Sequence, residues 1–199
     1  MRLYRLDGIV PPMGSEHPPA ERSEAQTRLL DAAESVVARE GVGNLTLEAV
    51  AREAGVSKGG LLYHYPSKSA LVTAVVARLA QRCQGDQFAA LAEEGQAPGA
   101  FTRSFLTTFG RLLSETEKPL HTALLAAAGT DPQYLEPIRA LAREWQARLE
   151  SDGIDPAVAT IVRLAIDGLC IGNLLGLPMP GDELRERVIQ KLRDMTNKE

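Results

Sequence analysis

TLEAVAREAGVSKGGLLYHYPSK, residues Thr46–Lys68, is the stretch from which the rest of the chain can be read. Leu47, Val50, Ala51 and Ala54 share one face of a short helix, with Thr46 as its cap and Glu48 off that face. Gly55 breaks the pattern. Val56 turns back to a core, and Ser57 can cap a second short helix from Lys58 to about Tyr65, which Pro66 stops. Two short helices across a tight glycine turn predict a helix-turn-helix, and the second helix of such a pair fits a DNA major groove.

Upstream, Ser23–Glu40 predicts a helix. Leu29, Leu30, Ala33, Val36 and Val37 form its apolar stripe, with Arg28, Asp31, Glu34 and Arg39 off it. Gly41 suits the left-handed position after a helix end, and 41–45 reads as a loop. Residues 1–22 carry Pro11, Pro12, Pro18 and Pro19 with no sustained periodicity, so they read as a mobile arm. Met13 is an alternative start, and Arg22 is the arm's candidate for reaching a minor groove.

Downstream, Ser67 caps a helix running to about Gln84, which Gly85-Asp86 is expected to interrupt before 88–94. Five further helical segments are predicted: 100–115, 118–128, 132–150, 155–176 and 180–195. Glycine- and proline-containing breaks at 95–99, 129–132, 151–153 and 177–180 separate them. No segment alternates like a strand, so the fold class is all-α with about nine helices. The domain boundaries follow: 1–22 as an arm, 23–66 as the helix-turn-helix domain, and 67–199 as a second helical domain.

The bulk composition narrows the class. Hydrophobic residues make up 44% and charged residues 24%, ordinary for a globular chain. No apolar run is expected to span a bilayer, and the N-terminal stretch lacks a signal-peptide core, which together predict a cytoplasmic protein without a membrane partner. The net charge is −4, and residues 22–68 hold six basic and six acidic side chains. DNA binding by so neutral a region requires its few cations to face the phosphates and its acids to face away. Cys83 and Cys170 have no metal-type spacing and read as isolated buried thiols, with redox sensing the lesser alternative.

The string LTLEAVAREAGVSKGGLLYHYPSKSALV resembles the TetR family of bacterial one-component regulators. The segment from Ala54 to Lys68 is the specific part, because cap, turn, aromatic pair and following cap-plus-lysine recur in order. The clear resemblance covers 26–78. It implies a three-helix DNA-binding domain, a fourth helix leading to a ligand-binding domain, and a homodimer formed through 155–176 and 180–195. It also implies that a small molecule bound in the C-terminal core moves the connecting helix and so changes the spacing of two recognition helices. Repression of a palindromic operator on double-stranded DNA is the family expectation.

The residues themselves suggest roles that agree with this. Ser57 caps the recognition helix and leaves backbone N–H groups near a phosphate. Lys58 at the helix start can reach a base edge or a phosphate. Gly59 and Gly60 are poor helix formers, costing about 1 kcal/mol each relative to alanine, which suggests close approach of backbone to DNA. The alternative for these glycines is a frayed first turn. Tyr63 and His64 are polar-tipped rings suited to phosphate contact, although a merely solvated or capping histidine is the plainer reading of His64. Leu61 and Tyr65 are expected to pack inward. Thr46 and Lys68 suit phosphate clamping. Gly60 and Leu62 depart from the commonest family pattern, a small hydroxyl residue and an aromatic ring respectively. Leu62 can instead touch a thymine methyl.

In the second domain the candidate ligand-binding residues are Phe105, Phe109, His121, Trp145, Asp167, Cys170 and Asn173, with Phe101 and Tyr134 as further candidates for the pocket wall. The expected effector is largely apolar. Each residue has a plainer reading: a phenylalanine stripe at helical spacing is more often core, His121 follows Pro119 in a first turn, and Trp145 suits a helix seam. Asp167 interrupts the apolar run IVRLAIDGLCIGNLLGL and needs a partner. Arg163, a residue across a dimer seam, and a cationic ligand all qualify. Gly168, Gly172 and Gly176 recur every four residues, which favours close helix packing at a seam over a pocket.

No nucleophile elbow, phosphate loop or metal-ligand spacing is present, and His17, His64 and His121 are scattered. Catalysis, cofactors and metals are therefore not expected. The competing reading is a helical dimeric interaction or ligand-binding module that does not read DNA specifically, supported by the weak basicity.

Overall fold

The computed structural model describes residues 24–110 and 118–197. Among these are nine α-helices and no strand, as the all-α reading requires. The expected arm at 1–22 and the expected continuation of the fifth helix through Leu112 and Leu113 lie outside the described residues.

Helix α1 (Glu24–Asn44) buries Leu29, Leu30, Ala33, Val36 and Val37, the predicted stripe. It runs longer than expected, with Gly41 at φ 78° inside it. That backbone suits glycine and ends the first helical run, and a further turn buries Val42 before Leu45. Helices α2 (Leu47–Glu53) and α3 (Lys58–His64) follow as predicted. Thr46 Oγ1 accepts from Ala49 N at 3.1 Å, and Ser57 Oγ accepts from Gly60 N at 3.1 Å. Gly55 makes the turn at φ 67°.

Helix α4 (Lys68–Glu94) is continuous over 27 residues, so the break expected at Gly85-Asp86 does not occur. A single glycine costs about 1 kcal/mol. The packed face on both sides outweighs it: Leu79 and Ala80 before the glycine and Gln87 and Ala90 after it are all buried. Gln87 Nε2 donates to Ser104 Oγ at 2.8 Å, tying the far end of α4 to α5 (Ala100–Phe109). Asp152 caps α5 from a distance, its carboxylate accepting from Phe101 N at 3.1 Å and Thr102 N at 2.7 Å.

Helix α6 (Lys118–Ala128) packs along α1. The predicted 132–150 helix divides into a 3-10 turn, Pro132–Leu135, and α7 (Glu136–Glu150). Pro137 explains the division, since it has no N–H to donate back into the preceding turn. Helix α8 (Pro156–Leu174), capped by Asp155, and α9 (Asp182–Met195) complete the chain.

The core has three parts. The largest joins α1 to α4 with Leu124 and Ala127 of α6, so the helix-turn-helix and the second helical region share packing. A second gathers Phe105, Leu106, Val162, Ile166 and Leu192 from α5, α8 and α9. A third sets Phe101 against Leu149 and Ala159.

Helix α8 corrects one expectation. Its 19 residues are long and apolar enough to cross a membrane by length and composition alone. Here one side packs on α5 and α7, while Ile161, Leu164 and Ile171 are exposed. These fall with Leu175 at spacings of three, seven and four, which is one stripe of a helix.

Candidate functional site

The α2–α3 unit has a buried side and an exposed side. Leu61 is fully buried and Tyr65 nearly so, as predicted, and they anchor α3 to the core. That leaves Lys58, Gly59, Gly60, Leu62 and Tyr63 exposed. Tyr63 is 86% exposed and meets the His64 ring edge-on at 5.0 Å. Ser57 caps the first turn of α3. Neither Gly59 nor Gly60 has a positive φ, and a Cβ on either would meet only Ser57 Oγ, at 3.9 and 3.4 Å. Nothing inside the chain requires glycine at these positions.

The hydroxyls of Thr46 and Ser57 serve as acceptors in their caps, so each keeps its O–H free to donate outward. The two lysines are already engaged. Lys58 pairs with Glu48 on α2. Lys68 Nζ donates to the Gly43 carbonyl at 2.9 Å, tying the start of α4 to the α1–α2 connection. The hydrogen bond from Lys58, with its charge, holds the Glu48 carboxyl below the ordinary glutamate range. From sequence Glu48 reads only as a residue off the apolar face. The available signal is its place in the first turn of α2, since a helix-turn-helix brings that turn near the start of α3.

A second feature missed in the sequence lies behind this unit. Arg78 of α4 is nearly buried and reaches α1 twice, with Nε to Glu34 at 2.8 Å and Nη1 to Asp31 at 2.7 Å. Arg82 adds a contact to Glu34 at 2.8 Å. The signal is a basic residue at 78 on the same face as Val75 and Leu79, where only a paired charge can be buried.

The sensor candidates separate into groups. Phe105, Phe109 and Trp145 form a cluster, with ring centroids 4.7, 5.4 and 5.2 Å apart. Cys170 joins it, its Sγ 3.6 Å from the Phe109 carbonyl oxygen. Burial, then the nearby Asp167 and Cys83, push this thiol up to about 11, so it is protonated at neutral pH. The two cysteines, read as isolated, therefore lie within electrostatic range of one another, and neither is in a disulfide. Asp167 pairs with Arg163 one turn earlier at 3.4 Å, the first of the partners considered for it. Burial raises its carboxyl despite that arginine. Arg163 also donates to Gln146 of α7.

Phe101 lies in the third core region, which Trp145 also packs against, with the Arg148 guanidinium 5.5 Å from its ring. Tyr134 packs against the α1–α6 core, and His121 lies on α6. Asn173 Oδ1 is buried with no hydrogen-bond partner among the described residues. The candidates thus do not line one cavity. A cleft of about 490 Å³ opens instead between α5 and α9, lined by Leu106, Thr107, Gly110, Arg185, Ile189 and neighbours.

The glycine repeat on α8 also separates. A Cβ on Gly172 would meet Met179 Sδ at 2.5 Å, so this glycine serves packing within the chain. Gly176 ends the helix at φ 64°, with Leu177 N donating to the Gly172 carbonyl at 3.0 Å. A Cβ on Gly168, as on Gly176, would meet nothing within the chain, and Gly168 lies beside the exposed leucines and isoleucines.

Residues 29–75 match the family model described as bacterial regulatory proteins, tetR family. Residues 99–197 match that of the tetracyclin repressor-like C-terminal domain. Two curated Pseudomonas putida proteins, the HTH-type transcriptional regulator SrpR and the uncharacterized HTH-type transcriptional regulator TtgW, are each 40% identical over 58 residues, 29% of this chain. Those matches span only 27% of SrpR and 43% of TtgW. Among solved structures, SCO7518 from Streptomyces coelicolor A3(2) superposes with a TM-score of 0.69 at 21% identity, over 87% of this chain and 99% of that one, a likeness of fold. The multidrug binding protein EbrR, in complex with ethidium, superposes with a TM-score of 0.63 at 26% identity, over 86% and 99%.

Proposed function

The chain belongs to the TetR family of bacterial regulatory proteins, and from that premise we propose that it is a ligand-responsive repressor released from a palindromic operator by a small molecule. The observation that carries this reading is the α3 surface. Its glycines have no role inside the chain, its outward residues form one strip, and buried Leu61 and Tyr65 hold it rigidly. Lys58 and Leu62 are placed for base edges, while Thr46, Ser57, Tyr63, His64 and Lys68 are placed for phosphates. Residues 23–66 are the DNA-binding unit and 67–199 the sensing and dimerising unit, working in the cytoplasm where the DNA is.

The second recognition helix comes from a second copy of the chain. The exposed stripe Ile161, Leu164, Gly168, Ile171 and Leu175 on α8, with Leu184 on α9, is the surface for that pairing. An effector is sensed beside it. The Phe105, Phe109 and Trp145 rings are its candidate apolar wall, and Asp167 and Asn173, whose Oδ1 is buried without a partner among the described residues, are separate candidates on α8 for a polar contact. EbrR was solved with ethidium and with malachite green, and an aromatic effector of that kind suits these rings. Such a molecule releases DNA only if it binds the two dimer states with different affinity. Packing of α6 on α1, and of α4 on both regions, gives the change a route to α3.

Selection of bound fragments from a genomic DNA pool tests the reading. An enriched near-palindrome, confirmed by gel shift, is expected. Failure to enrich any sequence overturns it. The engaged state of Lys58 and Lys68 favours a second reading, a helical dimer that does not read DNA. Salt separates the two, since a regulator making several phosphate contacts loses affinity steeply as salt rises.

A further inference from the structure

Glu48 and Lys58 stand ten residues apart in the chain, in the first turns of α2 and α3, and their side chains meet in an ion pair. Both are more than half exposed, at 61% and 54%, so the pair lies on the surface and not in the core. An exposed pair of this kind contributes little to folding. A carboxylate beside the strip that faces DNA is also unfavourable toward any phosphate. That cost, without a folding role to offset it, points to a role in recognition.

We propose that Glu48 is a specificity-determining positioning residue, holding the Lys58 ammonium so that it reads a base edge and does not neutralise whichever phosphate is nearest. This rests on the DNA-reading function proposed above. An ammonium carries three N–H donors. Glu48 engages one, leaving two for an acceptor pair, and guanine presents such a pair, N7 and O6, in the major groove. Lysine's long stem loses rotamer freedom on binding, and a tether made in the free protein removes part of that loss beforehand. Contact with a phosphate instead would pull Lys58 away and leave an unpaired anion against the DNA backbone. The surroundings reinforce the effect. Lys68 donates to the Gly43 carbonyl, and Arg39 pairs with Glu40 and Glu53, so other cations of the domain also have partners within the chain.

The test compares wild type, Glu48→Ala, Glu48→Gln, Lys58→Ala and the Glu48→Ala/Lys58→Ala double variant. Each dimer is titrated with the selected operator and with a scrambled duplex over a salt series. Glu48→Ala is expected to bind scrambled DNA more tightly and to lower the operator-to-scrambled ratio roughly tenfold. Its salt dependence on scrambled DNA should steepen by about two for the dimer, one freed lysine per protomer. Glu48→Gln, which keeps an acceptor but loses the charge, should steepen likewise and retain part of the base preference. The double variant should match Lys58→Ala in base preference, because Glu48 acts through Lys58. Melting temperatures should stay together, as a structural role would not predict. Wild-type slope and ratio in Glu48→Ala would overturn the proposal, as would a double variant whose preference differs from that of Lys58→Ala. If the wild type itself does not distinguish operator from scrambled DNA, the DNA-reading function fails and this inference with it. If the wild type discriminates and the Glu48 variants match it, only this inference fails.

Discussion

The two lysines of the recognition surface illustrate how much one residue's neighbours decide. Lys58 is at the start of α3 and faces outward, whereas Lys68 lies outside that helix and braces the Gly43 carbonyl. Lys68→Ala should therefore weaken binding to all sequences about equally, while Lys58→Ala should also change which bases are preferred. Selection profiles for the two variants check this, and identical profiles would contradict the division. From sequence both read as cations available to DNA. Their internal partners are not legible there, because they lie ten and 25 residues away and meet the lysines only once the helices are placed. The caps are legible. Thr46 and Ser57 bond to amides three residues on, a distance that helix geometry alone dictates.

At the scale of elements, α4 is the connecting member, clamped by charge near its middle and at its far end. Near its first half, Arg78 is nearly buried against Glu34 and Asp31 of α1. Arg78→Ala leaves Glu34 without its inner partner and should cost about 3 kcal/mol of stability. Arg82→Ala, an exposed pair with the same glutamate, should cost under about 1 kcal/mol. Denaturant unfolding of the two variants measures the difference, and equal losses would mean that α1 and α4 are not joined through Arg78. At the far end, Glu94 bonds Arg103 of α5 at 3.0 Å and Arg193 of α9 at 2.7 Å. Burial alone would raise its carboxyl, but the two guanidiniums outweigh burial and hold it below the usual range. A depressed carboxyl contributes stability that is present above its usual value near 4.5 and is lost as pH falls through the depressed one. Melting temperatures of Glu94→Gln should thus be lower at pH 7 and fall less steeply than wild type below about pH 4.5. Parallel curves would show that Glu94 does not carry this part of the acid response. The unbroken α4 is hard to read at Gly85 because a local break signal stands there, and the buried Gln87 and Ala90 that override it show their burial only in the packed chain.

At the scale of the molecule, one face remains uncovered. Leu164 is 64% exposed at the centre of the α8 stripe, an arrangement that suits a partner surface better than water. Leu164→Glu should produce monomers in sedimentation. Because one monomer carries one recognition helix, operator affinity should fall by at least about 100-fold. A Leu164→Glu protein that remains dimeric would move the seam elsewhere. The same stripe explains why α8 is apolar enough to pass for a membrane-crossing helix: one side fills the core with Ala159, Val162 and Ile166, and the other carries the exposed Ile161, Leu164 and Ile171.

The sequence alone determined the all-α class, the helix-turn-helix, its caps, the inward turn of Leu61 and Tyr65 and most helix boundaries. These depend on a 3.6-residue period and on bonds spanning three or four residues, which a linear string displays directly. Only the tertiary structure decided that Lys58 is held by Glu48, that α6 lies on α1, that Arg78 is a buried clamp, and that the expected pocket residues divide between separate cores. Those contacts join groups ten or more residues apart, 44 for Arg78 and Glu34 and farther still for α6 on α1, where the meeting of two groups depends on how whole helices cross and which way each face is turned.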